Sequence, residues 1–273
     1  MLVRNLLTLA LLLPLLVACA VPDLQDETKD WSASQFYSEA KGAMMDEDYD
    51  QAIKYYNGLQ ARYPFGPYAT QAQLDTIYAH YKNGEPDSAI AAADRFIKLY
   101  PQNPYVDYAY YLKGLANYNR NTSILTKLIE TDPSQRDAGA ALTSFNDFSE
   151  LARRFPDSKY SADARQRMLY LRNNLAMYQI HVARYYMKRG AYLAAANRAN
   201  RVITNFQRTD AVKEALEIMV DAYTRLGLKE LAADAQRVLA LNLEKGNLEQ
   251  PVAKDENSGI LSTLLSPLNL DEE

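Results

Sequence analysis

Lys82-Asn83-Gly84-Glu85-Pro86, continued by Asp87-Ser88-Ala89-Ile90 and closed at Tyr100-Pro101, decides the fold of this chain. Glycine tolerates the reversed backbone of a tight turn. Proline suits the first turn of a helix, where its missing N–H would have no partner anyway. The small Ala89 lets two helices approach closely. Pro101 stops the second helix, because its ring would clash with the preceding turn. The stretch therefore reads as helix, tight turn, helix, stop.

Outward from this stretch the same order recurs. Small residues flanked by apolar ones stand at Ala52, Ala89, Ser144, Ala195 and Ala232, at spacings of 37, 55, 51 and 37. Twelve residues after the first three come Pro64, Pro101 and Pro156, preceded by Tyr63, Tyr100 and Phe155. The fourth unit ends Phe206-Gln207, keeping the aromatic and losing the proline. Gly84, Gly190 and Gly227 lie five residues before three of the anchors, and Tyr68, Tyr105 and Tyr160 lie four residues after each proline. Such fixed offsets mark internal repeats, and the units resemble the tetratricopeptide repeat of about 34 residues. The implied fold class is all-α, a superhelix of about five helix-turn-helix units whose first helices line a concave surface.

The two long spacings locate elaborations. In the third unit the excess falls between a first helix near 105–118 and a second near 137–152, so 119–135 is expected to be an excursion. In the fourth unit, Ser161 to Lys188 contains no proline or glycine. One helix of about 40 Å, rising about 1.5 Å per residue, would fit. An added short helix pair is the alternative. The fifth unit runs from Ala211 to Leu241, and after Glu244 the helical period is lost. Residues 244–273 end acidic and read as a flexible tail, in which Leu261, Leu264 and Leu265 could form a short docking helix.

The N-terminus carries a second signal. Arg4 precedes a 12-residue apolar run from Leu6 to Val17, too short to span a bilayer. Leu16-Val17-Ala18-Cys19 is similar to the bacterial lipobox, and Cys19 is the only cysteine. An ordinary signal peptide cut at small residues is the alternative. On the lipoprotein reading, residues 1–18 are removed, Cys19 carries a covalent lipid and 19–31 form a polar tether. Several acyl chains, at about 0.8 kcal/mol per buried CH2, make such an anchor effectively permanent. Ala20, not Asp, follows the cysteine, which by resemblance to Gram-negative sorting rules implies the outer membrane. The repeats then divide into units one to three, 32–157, and units four and five, 158–243.

Composition limits the chemistry. A net charge of -4 argues against a mainly electrostatic nucleic-acid binder. With 10 Gly against 21 Tyr, phosphate loops have little material and amphipathic contact surfaces have plenty. His80 and His181 are far apart in sequence, and neither a His-Glu-x-x-His zinc motif nor a Gly-x-Ser-x-Gly elbow is present. Asp46, Glu47, Asp48 and Asp50 cluster at the first inter-helix turn, where they read as a solvated cap. No enzymatic activity, metal or cofactor is expected beyond the lipid at Cys19.

The lipobox, the early repeats with their Tyr-Pro and Phe-Pro closures, Tyr110-Tyr111-Leu112-Lys113-Gly114-Leu115, and the long helix before Tyr185-Tyr186 together resemble the BamD (ComL) family. The resemblance covers about residues 16–241. It implies a lipid-anchored scaffold at the periplasmic face of the outer membrane, within the complex that folds and inserts β-barrel proteins. The partners it implies are unfolded β-barrel precursors at the first repeats, and the barrel-bearing subunit and companion lipoproteins at the last. Another periplasmic adaptor lipoprotein, or a cell-wall hydrolase, is the alternative.

By tetratricopeptide register, the expected precursor groove is Tyr37, Lys41 and Met44, then Leu74, Tyr78, Tyr81 and Lys82, then Tyr111, Leu115 and Tyr118. Tyrosine faces could hold the rings of an extended peptide while lysines meet a terminal carboxylate. Packing between helices is the competing role for these tyrosines, since an error of one position in register reverses facing. The family implies that the basic group Arg198, Arg201, Arg208 and Lys213 meets carboxylates of the barrel-bearing subunit. A solvated helix face is the simpler account.

Overall fold

The computed structural model of the chain describes residues 27–120, 134 and 138–246. Leu16, Val17, Ala18, Cys19, most of the 119–135 excursion and the tail beyond Gly246 lie outside the described residues.

The described residues form ten helices and belong to the all-α class. Unit one is α1 (Ala33–Met45) and α2 (Tyr49–Arg62); unit two is α3 (Pro67–Lys82) and α4 (Pro86–Leu99). Unit three is α5 (Val106–Asn119) and α6 (Ala138–Arg154); unit four is α7 (Ser161–Lys188) and α8 (Tyr192–Asn205). Unit five is α9 (Ala211–Arg225) and α10 (Lys229–Glu244). Each helix packs on the next in the chain, the pattern of a solenoid of helix pairs.

The repeated residues perform repeated tasks. Gly84, Gly190 and Gly227 hold the inter-helix turns at φ 74, 73 and 73. In unit one the same place is taken by Glu47, at φ 58, a region that L side chains enter at a cost. The closing aromatics end the second helices uniformly: the N–H groups of Tyr63, Tyr100, Phe155 and Phe206 donate to Leu59, Phe96, Leu151 and Val202. The anchors Ala52, Ala89, Ser144 and Ala195 are fully buried. Ala232, in the last described unit, is half-buried.

Three core clusters run along the stack. The first joins α1, α2 and α3 through Phe36, Ala40, Tyr56, Leu59 and Ala72. The middle one is aromatic, with Phe96, Tyr108, Tyr111, Phe148 and Tyr160. The last is aliphatic, with Ile180, Ala195, Val202 and Ala215. Ser161–Lys188 is one helix of 28 residues, not a short pair. It sends Ala164 and Leu171 into the middle cluster and Ala176, Ile180 and Ala183 into the last. The length of α7 therefore couples the early repeats to the late ones.

Candidate protein-binding face

The first helices of units two, three and four present neighbouring aromatic and charged groups. Tyr81 at the end of α3 and Tyr118 at the end of α5 are repeat equivalents, 37 residues apart. Asn119 Nδ2 donates to the Tyr81 hydroxyl at 2.7 Å, tying the two ends together. From α7, Tyr170 stands 6.1 Å from the Tyr118 ring, centroid to centroid, and the Arg167 guanidinium lies 5.0 Å from that ring's centroid.

Arg167 is only 6% exposed, so its charge needs compensation. Asp163, one helical turn earlier, supplies it at 2.6 Å. Burial works against the Arg167 charge, yet the bond and the charge of Asp163 outweigh it and hold the guanidinium above its ordinary pKa. The Tyr111 hydroxyl donates to the same carboxylate at 2.7 Å. Burial pushes the phenols of Tyr111 and Tyr81 upward, and Tyr78 is pushed up to about 12 by burial and then by Tyr49, Tyr81 and Glu47. These tyrosines therefore stay neutral near pH 7.

A second polar knot lies between units one and two. The buried Asp75 of α3 accepts hydrogen bonds from Tyr37 at 3.0 Å, Tyr56 at 3.2 Å and Gln71 at 2.8 Å. Burial raises the Asp75 carboxyl above its ordinary value more than Lys41 and these bonds lower it. Lys41 Nζ is buried without a hydrogen-bond partner, and Lys82 Nζ lies 5.8 Å from the Tyr49 ring centroid.

This geometry corrects the facing of half the expected groove. Leu74, Tyr111 and Leu115 are core residues of the middle cluster, and Tyr37 and Met44 are core residues of the first. The physical reason is that tyrosine can bury its ring completely when an internal carboxylate takes its hydroxyl. Asp163 does so for Tyr111 and Asp75 for Tyr37. Tyr78, Tyr81 and Tyr118 are half-buried and Lys82 is exposed, so these four reach the surface, whereas the ammonium of the half-buried Lys41 is enclosed. Asp163, Arg167 and Tyr170 were missed by the repeat register. The Asp-x-x-x-Arg spacing of Asp163 and Arg167 on an expected helix was the available signal.

In the last repeats, Arg198 donates to Gln179 Oε1 at 3.0 Å, which turns it toward α7. Arg201, Arg208 and Lys213 are exposed. Arg208 sits in the α8–α9 turn at φ 62, in the unit that lacks the closing proline. Alongside, Arg184 of α7 pairs with Glu214 of α9.

Among the described residues, no group of His, Cys, Asp and Glu could hold a metal ion. His80 pairs with Glu85 at 2.6 Å and His181 with Ser134 at 2.8 Å. No described helix is long and apolar enough to cross a membrane.

Residues 29–239 match the family model YfiO, described as an outer membrane lipoprotein. A relative from Neisseria meningitidis serogroup B, named outer membrane protein assembly factor BamD, is 46% identical over 258 residues, covering 93% of this chain and 96% of its own. Relatives of the same name from Xylella fastidiosa and Vibrio cholerae are 40% and 36% identical. The first covers 76% of this chain and 70% of its own, the second 85% and 95%. The chain belongs to the YfiO/BamD family of outer-membrane lipoproteins.

Proposed function

We propose that this chain is a scaffold subunit of the outer-membrane protein assembly machinery that binds unfolded β-barrel precursors on the first-helix face of units two to four. Family membership supports the assembly role. The observation that carries precursor binding is the aromatic strip Tyr81, Tyr118 and Tyr170 with Arg167 held charged beneath it. Such a strip suits an extended peptide with alternating aromatic side chains, whose rings meet tyrosine edges and whose terminal carboxylate meets the exposed Lys82 beside them. The role is that of a non-catalytic scaffold, held to the membrane by a lipid on Cys19. Arg201, Arg208 and Lys213 supply the contact with the barrel-bearing subunit, and companion lipoproteins bind the same late repeats.

Photo-crosslinking residues placed at Tyr81 and Tyr170 should capture an unfolded β-barrel precursor, and one placed at Asp94 on α4 should not. Equal capture at all three positions would remove the face from the proposal. Depletion of the chain with an undiminished set of folded outer-membrane barrels would remove the assembly role itself.

A further inference from the structure

The second helices of successive units leave a trench between them, floored by the first helix of the later unit. Repeat equivalence allows two such trenches to be compared. Between units two and three, Lys113 rises from α5 and bridges Asp94 of α4 at 2.7 Å and Asp147 of α6 at 3.4 Å. Asn117 donates to Asp147 at 2.7 Å. That trench is filled by its own ion pairs.

Between units one and two, each of these residues is replaced. Thr76 stands at the place of Lys113, Asn57 at that of Asp94, Ala92 at that of Asp147 and His80 at that of Asn117. Thr76 is short and accepts a hydrogen bond from Gln60 at 3.2 Å. The result is a cavity of about 310 Å³ lined by α2, α3 and α4. This lies at the lower end of ligand-pocket sizes, about 300–1,000 Å³. Gln73, on its wall, donates to the Tyr100 hydroxyl at 3.2 Å, while its buried Oε1 has no hydrogen-bond partner.

The rim supplies a charge preference. Arg95 lines the cavity at the place that Glu150 occupies one unit later. Lys54 and Lys98 continue the same helical rows, at i−3 from Asn57 and i+3 from Arg95, and both are exposed. The acids nearby are already engaged: Glu85 with His80, Asp87 with Arg120 and Asp94 with Lys113. Asn57 and Gln60 offer amide groups, the complement of a peptide backbone.

We propose that this trench binds an extended acidic peptide segment of a partner protein, its backbone on Asn57 and Gln60 and a carboxylate on Arg95. The site is separate from the first-helix face and does not depend on precursor recognition there.

The test uses the full acylated chain in detergent micelles and three pools of acetylated heptapeptides, with Glu, Gln or Lys fixed at the centre and the other positions randomised. The Glu pool should be retained about tenfold over the other two, as a charge-assisted hydrogen bond implies. Arg95→Gln, at an exposed position, should abolish that preference. The triple change Asn57→Asp, Thr76→Lys and Ala92→Asp rebuilds the ion pairs of the neighbouring trench and should abolish retention. Equal retention of all three pools, no retention of any, or a Glu preference that survives Arg95→Gln would each overturn the proposal.

Discussion

The hydroxyl of Tyr111, in the third unit, donates at 2.7 Å to the carboxylate of Asp163, in the fourth, and that same carboxylate neutralises Arg167. A residue expected to face a ligand is thus spent on joining two units. The partner lies 52 residues away, so no local pattern could have announced it.

Removing one member of this set leaves a buried charge alone. Arg167→Leu should lower stability by about 3 kcal/mol, whereas Arg167→Leu with Asp163→Leu should lower it by less, since both charges then go together. Chemical denaturation of the two variants checks this, and a double variant that is worse than the single would contradict it.

Gly114 marks where α5 and α6 come closest. A Cβ there would stand 2.5 Å from the Phe148 ring, and Ser144 Oγ bonds the Gly114 carbonyl at 3.0 Å. Gly114→Ala gains about 0.5–1 kcal/mol of helix propensity. Overpacking against a filled aromatic core costs about 1–3 kcal/mol and should win. A net loss near 1 kcal/mol is expected in thermal unfolding, with partial recovery on adding Phe148→Leu.

The architecture was legible because its signals are local: turn glycines, closing aromatics, small anchors and an unbroken stretch from Ser161 to Lys188. Facing was less legible. Tyrosine satisfies both a core and a surface, and which applies at Tyr37 or Tyr111 depends on Asp75 or Asp163 supplied by another helix. The strip Tyr81, Tyr118 and Tyr170 was half visible, since the repeat register gave the first two and could not extend to the enlarged fourth unit.

The left-handed turn at Glu47 has a direct test. Three other units use glycine at this place. Glu47→Gly should raise stability by about 1 kcal/mol, the usual cost of an L residue in this conformation. Glu47→Ala keeps the strain and should not reproduce the gain.

The exposed cations of the last repeats separate two outcomes by charge reversal. Lys213→Glu should weaken co-purification of the barrel-bearing subunit if the lysine meets a carboxylate in a desolvated contact, by about 2 kcal/mol or more. Arg198→Gln is the internal comparison, because Arg198 is turned toward Gln179 and should matter less. Equal co-purification of both variants with the native chain would mean that this face is simply solvated.

Asp75 gives stability a pH dependence of definite sign. Its folded carboxyl titrates above the ordinary 3.8, first because of burial, against the opposing pull of Lys41, Gln71, Tyr37 and Tyr56. Between the unfolded and folded values the native state holds the proton more tightly, so the favourable contribution is complete below 3.8 and is lost as pH rises through the folded value. Asp75→Asn keeps an acceptor for the two tyrosines and removes the titration. The stability of the native chain relative to this variant should therefore fall from pH 4 toward pH 8, the reverse of the trend set by a salt-bridged surface carboxylate. Denaturant midpoints of both proteins across that range measure the difference directly. A flat difference would place the Asp75 carboxyl at its unfolded value and deny the burial account.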